Sequence, residues 1–156
     1  MPNPWAGSKP YAKLGNMFTR PLWGILPAPR GFGIITTVGR RSGKPRRQSV
    51  RAIRHDDVVY VVAMMGKKAA WLKNIRANPR VTMRLGKETL NGTAREITDS
   101  SERQKAMDAY TGTLVVADYF DYIAYHWGLA TREKIVRAHQ QWFDDGIPVI
   151  VQLESS

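Results

Sequence analysis

The chain of 156 residues contains no cysteine. This absence excludes a disulfide framework, a zinc site built on thiolates and catalysis by a cysteine nucleophile. The sequence also lacks any run of about 18 apolar residues, and its first residues lack the charged and then apolar pattern of a secretory signal. We therefore expect a cytoplasmic protein that neither crosses a membrane nor is secreted by a classical signal.

Histidine is scarce as well. His55, His126 and His139 lie far apart in the sequence, and none has a carboxylate or a second histidine at the spacing of metal ligands. We therefore expect no metal site. Asp118 and Asp121 are expected to lie on an exposed helix face.

Acidic residues are almost absent from the first half of the chain. Residues 1–87 hold 18 of the 24 lysines and arginines but only two acids, for a net charge of +16, whereas residues 88–156 carry a net charge of −5. Such a basic half suits nucleic acid, an anionic membrane face, or a small phosphorylated or polycarboxylate ligand. Composition alone leaves these three classes open.

The pattern of apolar residues predicts one mainly β domain. The apolar content of 43% is sufficient for one core. Six strands are expected, over residues 32–38, 46–54, 58–63, 81–85, 88–97 and 148–153. Helical patterns cover residues 69–77, 103–110 and 131–143, and a bent amphipathic helix is expected within the first thirty residues. Short, mostly antiparallel strands with few helices favour a small barrel.

Three local features refine this prediction. The strand over residues 58–63 is apolar throughout, which predicts burial of both its faces. Gly92 indicates a bulge in the strand that contains it. Asp99 stands three residues before Glu102, the spacing of a capping box at the start of a helix.

The turn between the first two strands has the composition of an anion cradle. Gly39 and Gly43 allow the backbone to approach a ligand, Ser42 offers a hydroxyl, and the neighbouring arginines can bind phosphate or carboxylate in bidentate pairs. The order of residues matches neither a Walker loop nor a dinucleotide-binding turn. A solvated basic hairpin is the alternative on charge alone.

Ordered blocks of sequence resemble the deazaflavin-dependent nitroreductase family. They are Thr37-x-Gly39-Arg40-Arg41-Ser42-Gly43-x-Pro45-Arg46, the apolar strand ending at Ala63, Trp71-Leu72-x-Asn74-Ile75-x-Ala77-Asn78-Pro79-x-Val81, Thr93-Ala94-Arg95 and Ile147-Pro148-Val149-Ile150. The resemblance implies a six-stranded split β-barrel with flanking helices, similar to the flavin-binding pyridoxamine-phosphate oxidases. We assign the barrel to residues 31–156 and an N-terminal amphipathic helical segment to residues 1–30.

The resemblance also implies a cofactor and its binding residues. The cofactor is the deazaflavin coenzyme F420, with flavin mononucleotide (FMN) as the alternative. The implied binding residues are Arg40, Arg41, Ser42, Gly43, Arg46, Gln48, Val62, Ala63, Met64, Met65, Gly66, Lys67, Lys68, Trp71 and Asn74. An anionic phosphate and tail need clustered cations, whereas the flat ring needs apolar strand surface.

One position departs from the family pattern. A lysine commonly precedes the glycine at position 66 in the family, and Met65 stands there in this chain. Either Lys67 and Lys68 take over the phosphate contact, which we favour, or cofactor affinity is lower, or the ligand differs.

The chemistry implied by the resemblance needs no protein nucleophile. A proton donor would assist reduction of the acceptor, and Tyr122, Tyr125 and His126, with Tyr119 nearby, are the candidates. Their alternative role is aromatic packing at helical spacing.

The resulting hypothesis is an oxidoreductase that transfers hydride from reduced F420 to a quinone, an enone or a nitroaromatic. The alternatives are an FMN-dependent reductase and a non-catalytic lipid or membrane-surface binder that uses residues 1–26. A combination is also open, with residues 1–26 on the inner membrane face beside a catalytic barrel. No standard nucleic-acid motif occurs, so nucleic acid ranks last as a partner. Related barrels often dimerise, which makes a homodimer an open expectation.

Overall fold

The computed structural model describes residues 30–115, 118–119, 122–123 and 129–155. The predicted N-terminal segment therefore lies outside the described residues apart from Arg30, and so do the proton-donor candidates Tyr125 and His126. Among the described residues, no helix is long and apolar enough to cross a membrane.

The described chain forms one antiparallel sheet of seven strands. The strands are β1 Phe32–Val38, β2 Pro45–Arg51, β3 Ile53–His55, β4 Val58–Ala63, β5 Arg80–Leu85, β6 Glu88–Glu96 and β7 Ile147–Leu153. Their order across the sheet is β2-β1-β5-β6-β7-β4-β3. Successive hairpins account for the neighbours β1–β2, β3–β4 and β5–β6.

The sheet curls into a split barrel because one stretch of chain supplies both of its edges. β2 and β3 are separated only by Ala52, yet they lie at opposite ends of the strand order. The two edges must therefore meet at Ala52. The prediction of six strands is corrected to seven, since the extended segment 46–54 changes its pairing partner from β1 to β4 at this residue.

Three helices and one short turn complete the described elements. The helices are α1 Ala70–Ala77, α2 Ser100–Gly112 and α3 Arg132–Asp145, and a 3-10 turn covers Gly66–Lys68. Asp99 caps α2 by accepting a hydrogen bond from the Glu102 N–H at 2.8 Å, which confirms the predicted cap. Thr131 caps α3 in the same way through the Lys134 N–H.

Apolar side chains cover both faces of β4. Val59, Val61 and Ala63 belong to the barrel core that packs against α1, whereas Tyr60 and Val62 belong to a second cluster beneath α2 and α3. Alternate residues of a strand face opposite sides, so a strand with both faces covered needs apolar residues throughout. The predicted burial of both faces is confirmed.

Gly92 lies where three strands approach closely. It stands opposite Val81 of β5 and Leu153 of β7, and the pairing register runs through it without interruption. A Cβ atom at this position would lie 2.6 Å from the Gln152 carbonyl oxygen and 2.8 Å from Val151 Cγ1. The predicted bulge is therefore wrong, and glycine serves here to leave room for the neighbouring backbone.

Replacement of Gly92 by alanine is expected to lower the free energy of unfolding by about 1–3 kcal/mol, because β6 and β7 must separate to admit the methyl group. Urea denaturation measures this change. Gly112→Ala is the matched control: a Cβ there meets no atom within 4 Å, so stability should change by less than about 0.5 kcal/mol. Equal losses in the two variants would contradict the prediction.

Candidate cofactor site

The opening in the barrel lies between β2 and the end of β4. β2 pairs with β1 on one side, and among the described strands none pairs with its other side. β3 pairs with β4 only at residues 58–60, which leaves the same edge of β4 unpaired over residues 61–63. β2 and β4 approach one another across this gap. We call the gap, with the loop that follows β4, the split; Ala52 marks its closed end.

The β1–β2 turn stands at the open end of the split. The Gly39 N–H donates to the Lys44 carbonyl oxygen at 2.9 Å, and the Gly43 N–H donates to the Gly39 carbonyl oxygen at 2.8 Å. Ser42 Oγ accepts a hydrogen bond from the Lys44 N–H and would lie 2.7 Å from a Cβ at Gly39. Gly43 has φ +65°, which favours glycine. The turn is thus held closed by its own backbone, and Arg40 stands exposed within it.

Asn74 joins this turn to α1. It is only 3% exposed, and its Nδ2 donates to Thr37 Oγ1 at 3.0 Å. Its Oδ1 accepts from Arg40 Nη1 at 3.1 Å and from the Arg40 backbone N–H at 3.3 Å. Two of the sequence blocks therefore meet in space. Asn74 thus holds both the backbone and the guanidinium of Arg40, and its predicted contact with the cofactor stays a prediction.

Arg46 and Gln48 follow the turn along β2. They stand opposite Thr37 and Ile35 of β1, so they face the side of the sheet that carries the barrel core. Arg46 is exposed and Gln48 is half-buried. The two side chains thus extend the basic turn along the β2 side of the split.

The β4 side of the split changes character at Ala63. The side chains of Val62 and Ala63 are buried in the hydrophobic clusters, so the end of β4 offers a ligand mainly its backbone edge. Trp71 of α1 is buried in the barrel core as well. Met64 and Met65 are 41% and 46% exposed immediately afterwards. The rim of the split is therefore apolar and accessible just before the basic turn at residues 66–68.

The N-terminus of α1 is left open to an anion. Its N-cap residue, Ala69, has no side chain able to accept from the first N–H groups, and the first turn contains no acid. Lys67 and Lys68 directly precede it. Unpaired backbone N–H groups, the positive end of the helix dipole and two lysines make this a suitable phosphate position.

The cations around the split are not neutralised by carboxylates. Within the described part of the chain, no ion pair forms at the following five: Arg40, Arg41, Arg46, Lys67 and Lys68. Arg76 differs because it donates two hydrogen bonds to Glu96, and this contact lowers the pKa of the Glu96 carboxyl. Unpaired cations beside an apolar rim fit a cofactor that has a flat ring, a phosphate and carboxylates.

Residues 26–126 match the family model described as F420H(2)-dependent quinone reductase. The chain belongs to this family. It is an F420H2-dependent reductase, and its cofactor is F420. The resemblance to the deazaflavin-dependent reductases is confirmed, and so is the expectation that the protein is an enzyme.

Solved structures show the same fold. The F420-H2 dependent reductase FDR-A is 23% identical, with a TM-score of 0.55, and the match covers 83% of this chain and 100% of that one. A structure described as a domain-swapped dimer is 22% identical, with a TM-score of 0.55 and coverages of 92% and 100%. A Listeria innocua protein named as a pyridoxamine 5′-phosphate oxidase is 13% identical, with a TM-score of 0.50 and coverages of 93% and 94%. The split-barrel fold is therefore confirmed.

The reductase contains a buried polar cluster that the sequence did not indicate. Arg51, the last residue of β2, forms an ion pair with Asp118, and the two side chains are 6% and 2% exposed. Asp118 is helical as expected, but its expected exposure is wrong, because the carboxylate is enclosed by Arg51 and by His139 of α3. Of the proton-donor candidates, Tyr119 and Tyr122 lie within the described residues, and both are half-buried.

Burial sets the protonation of His139 in this cluster. Burial of the imidazole lowers its pKa to about 4, although the Asp118 carboxylate, with Oδ1 3.7 Å from Nε2, acts in the opposite direction. His139 is therefore neutral near pH 7. Burial likewise raises the pKa of Tyr110, whose hydroxyl donates to the Arg51 carbonyl oxygen at 2.7 Å.

Proposed function

We propose that the reductase binds reduced F420 along the split and transfers hydride to an activated acceptor that is a quinone, an enone or a nitroaromatic. The observation that carries the proposal is the row of unpaired cations beside an exposed apolar rim. A phosphodiester and several carboxylates require such cations, and a flat ring requires such a rim.

Each side of the split takes a different part of the cofactor in this proposal. Arg40, Arg41 and Arg46 bind the carboxylate-bearing tail, with Ser42 and Gly43 shaping the turn. Lys67 and Lys68 bind the phosphate together with the N-terminus of α1, in place of the lysine that Met65 replaces. The ring lies against the backbone edge of Val62 and Ala63, between Met64 and Gly66 on one side and Gln48 on the other.

The residues contribute binding and protonation rather than covalent chemistry. Bound reduced F420 supplies a hydride to the acceptor. The apolar rim excludes water from the ring, and the arginines orient the cofactor through its tail. Tyr122, Tyr125 or His126 gives a proton to the reduced acceptor.

Assembly and location extend the same proposal. One structural neighbour is a domain-swapped dimer, and this supports a homodimer for this chain. The cytoplasmic location and the contact of residues 1–26 with an anionic membrane stay predictions, and the latter concerns residues outside those described.

Parallel titrations of the purified protein with F420 and with FMN, followed by ligand fluorescence, test the proposal. We expect saturable F420 binding that Lys67→Ala and Lys68→Ala weaken, and weaker FMN binding because FMN lacks the anionic tail. Oxidation of reduced F420 is then followed with a quinone, an enone and a nitroaromatic. Turnover of none of the three would overturn the proposed acceptor class, and tighter FMN binding would overturn the assignment of the arginines to the tail.

A further inference from the structure

Arg51 connects three separate parts of the chain at one buried point. Its Nη1 donates to the Gly31 carbonyl oxygen at 2.5 Å, where the described chain enters β1. Its Nη2 donates to the Thr113 carbonyl oxygen, just beyond α2. The carboxylate of Asp118 takes the remaining side, with Oδ1 2.8 Å from Nε and Oδ2 2.9 Å from Nη2.

The carboxylate of Asp118 is itself held in place. Its Oδ2 also accepts from the Val115 N–H at 2.8 Å, and the Asp118 N–H donates to the Val115 carbonyl oxygen at 2.9 Å. These bonds hold Thr113, Val115 and Asp118 around the Arg51 guanidinium. The guanidinium lies over the rings of Phe32 and Tyr110, 5.2 and 5.9 Å from their centroids.

The location of the cluster links it to the split. Arg51 directly precedes Ala52, the closed end of the split, and Asp118 is four residues before Tyr122. Asp118 is therefore fastened to the barrel at the closed end of the split, close in sequence to the proton-donor candidate Tyr122. No other strand residue in the described chain forms an ion pair with Asp118.

Stability alone is a weak reason for such a pair. A buried ion pair often stabilises a fold no more than apolar residues of the same volume, because two charges must lose their hydration. What the pair adds is geometry, since the planar guanidinium and the carboxylate permit one bidentate arrangement.

We propose that Arg51 is a positioning residue for acceptor reduction: by holding Asp118 at the closed end of the split, it sets the position of Tyr122. Arg51 contacts neither cofactor nor acceptor. This inference rests on the proposed function, since it requires that the acceptor react at the split.

The experiment compares the full-length protein with the double variant Arg51→Met/Asp118→Leu. Because both charges are removed together, no buried charge is left unpaired and the variant should still fold, with a lower urea midpoint since the Gly31 and Thr113 carbonyls and the Val115 N–H lose their partners. F420 affinity should change less than about twofold, whereas KM for the acceptor should rise about tenfold as Tyr122 loses its fixed position. Hydrogen exchange should accelerate at the amides of residues 115 and 118.

Two further variants separate positioning from simple packing. Arg51→Lys keeps the positive charge but loses the planar guanidinium. Its KM for the acceptor should therefore rise above that of the wild type, but by less than in the double variant. Arg54→Met/Glu88→Leu removes an exposed ion pair of the same chemistry on β3 and β6, with N and O 2.7 Å apart, and should leave KM unchanged.

The outcomes distinguish the positioning role of Arg51 from the proposed reductase function. A folded double variant with wild-type KM, or an Arg51→Lys variant with wild-type KM, overturns the positioning role while the proposed function stands. If the double variant fails to fold, Arg51→Lys decides the question by the same measurement. A wild-type protein that binds F420 but reduces no acceptor overturns the proposed function and this inference with it.

Discussion

Replacement of Arg46 by alanine is expected to weaken F420 binding about 10- to 100-fold, because a charge-assisted hydrogen bond to an anion contributes roughly 1.5–3 kcal/mol. Arg46 is exposed, unpaired by any carboxylate among the described residues, and next to the β1–β2 turn. In the proposed arrangement its loss removes a ligand contact, and the exposed side chain contributes little to the core. The free energy of unfolding should therefore be unchanged, and fluorescence titration with F420 measures the affinity.

Lys87→Ala is the matched control for charge. It removes one positive charge from the exposed β5–β6 turn, at the opposite end of the strands from the β1–β2 turn. We expect its F420 affinity to stay within about twofold of the wild type, since separation and salt screen the interaction. Equal losses in both variants would show a general effect of net charge and would contradict a specific contact of Arg46.

The dependence of F420 affinity on salt concentration provides a second comparison between the wild type and Arg46→Ala. The wild type should lose affinity for F420 more steeply with salt than Arg46→Ala, because the variant has one fewer cation in contact with the ligand. Parallel salt slopes would argue that Arg46 acts on the conformation of the turn rather than on the anion.

Acid is expected to destabilise the protein through His139. The pKa of its imidazole is lowered from 6.5 to about 4 by burial, so between these values the unfolded chain binds a proton that the folded chain does not. The stabilisation is present above pH 6.5 and is lost as the pH falls toward 4. The loss amounts to about 3 kcal/mol, since each unit of pKa difference corresponds to about 1.4 kcal/mol.

Urea denaturation at pH 7.0, 5.5 and 4.5 measures this loss. His139→Gln should show a shallower decrease in stability over the same interval, whereas His55→Gln, at an exposed position, should follow the wild type. Acid groups such as Glu102, whose pKa is lowered by a hydrogen bond from Arg95, contribute equally to all three proteins and cancel in the comparison. An unaltered pH dependence in His139→Gln would contradict the assignment.

Local sequence signals placed several elements correctly. The strands at residues 32–38 and 58–63 have the predicted bounds, because a run of apolar residues between turn residues is a local property. Asp99 caps α2 as its spacing indicated. The glycines and cations of the β1–β2 turn were likewise visible, since the chemistry of an anion cradle lies within a few consecutive residues.

The interruption at Ala52 could not be predicted in this way. Residues 46–54 have continuous strand character, and only the identity of the partner changes along them, from β1 to β4. Pairing partners are chosen by the whole sheet, so no local pattern records the change. Gly92 is a similar case, because a glycine in a strand is compatible with both a bulge and a close approach of backbones.

By itself, the sequence determined a basic first half, a turn rich in glycine and arginine, a mainly β fold and, through its ordered blocks, the family. Only the tertiary structure decided that Asn74 holds Arg40, across 34 residues, and that Arg51 meets Asp118 across 67. The physical reason is that composition and periodicity report how each residue prefers to be buried or exposed. Contacts between buried polar groups depend instead on which distant segments the curled sheet brings together.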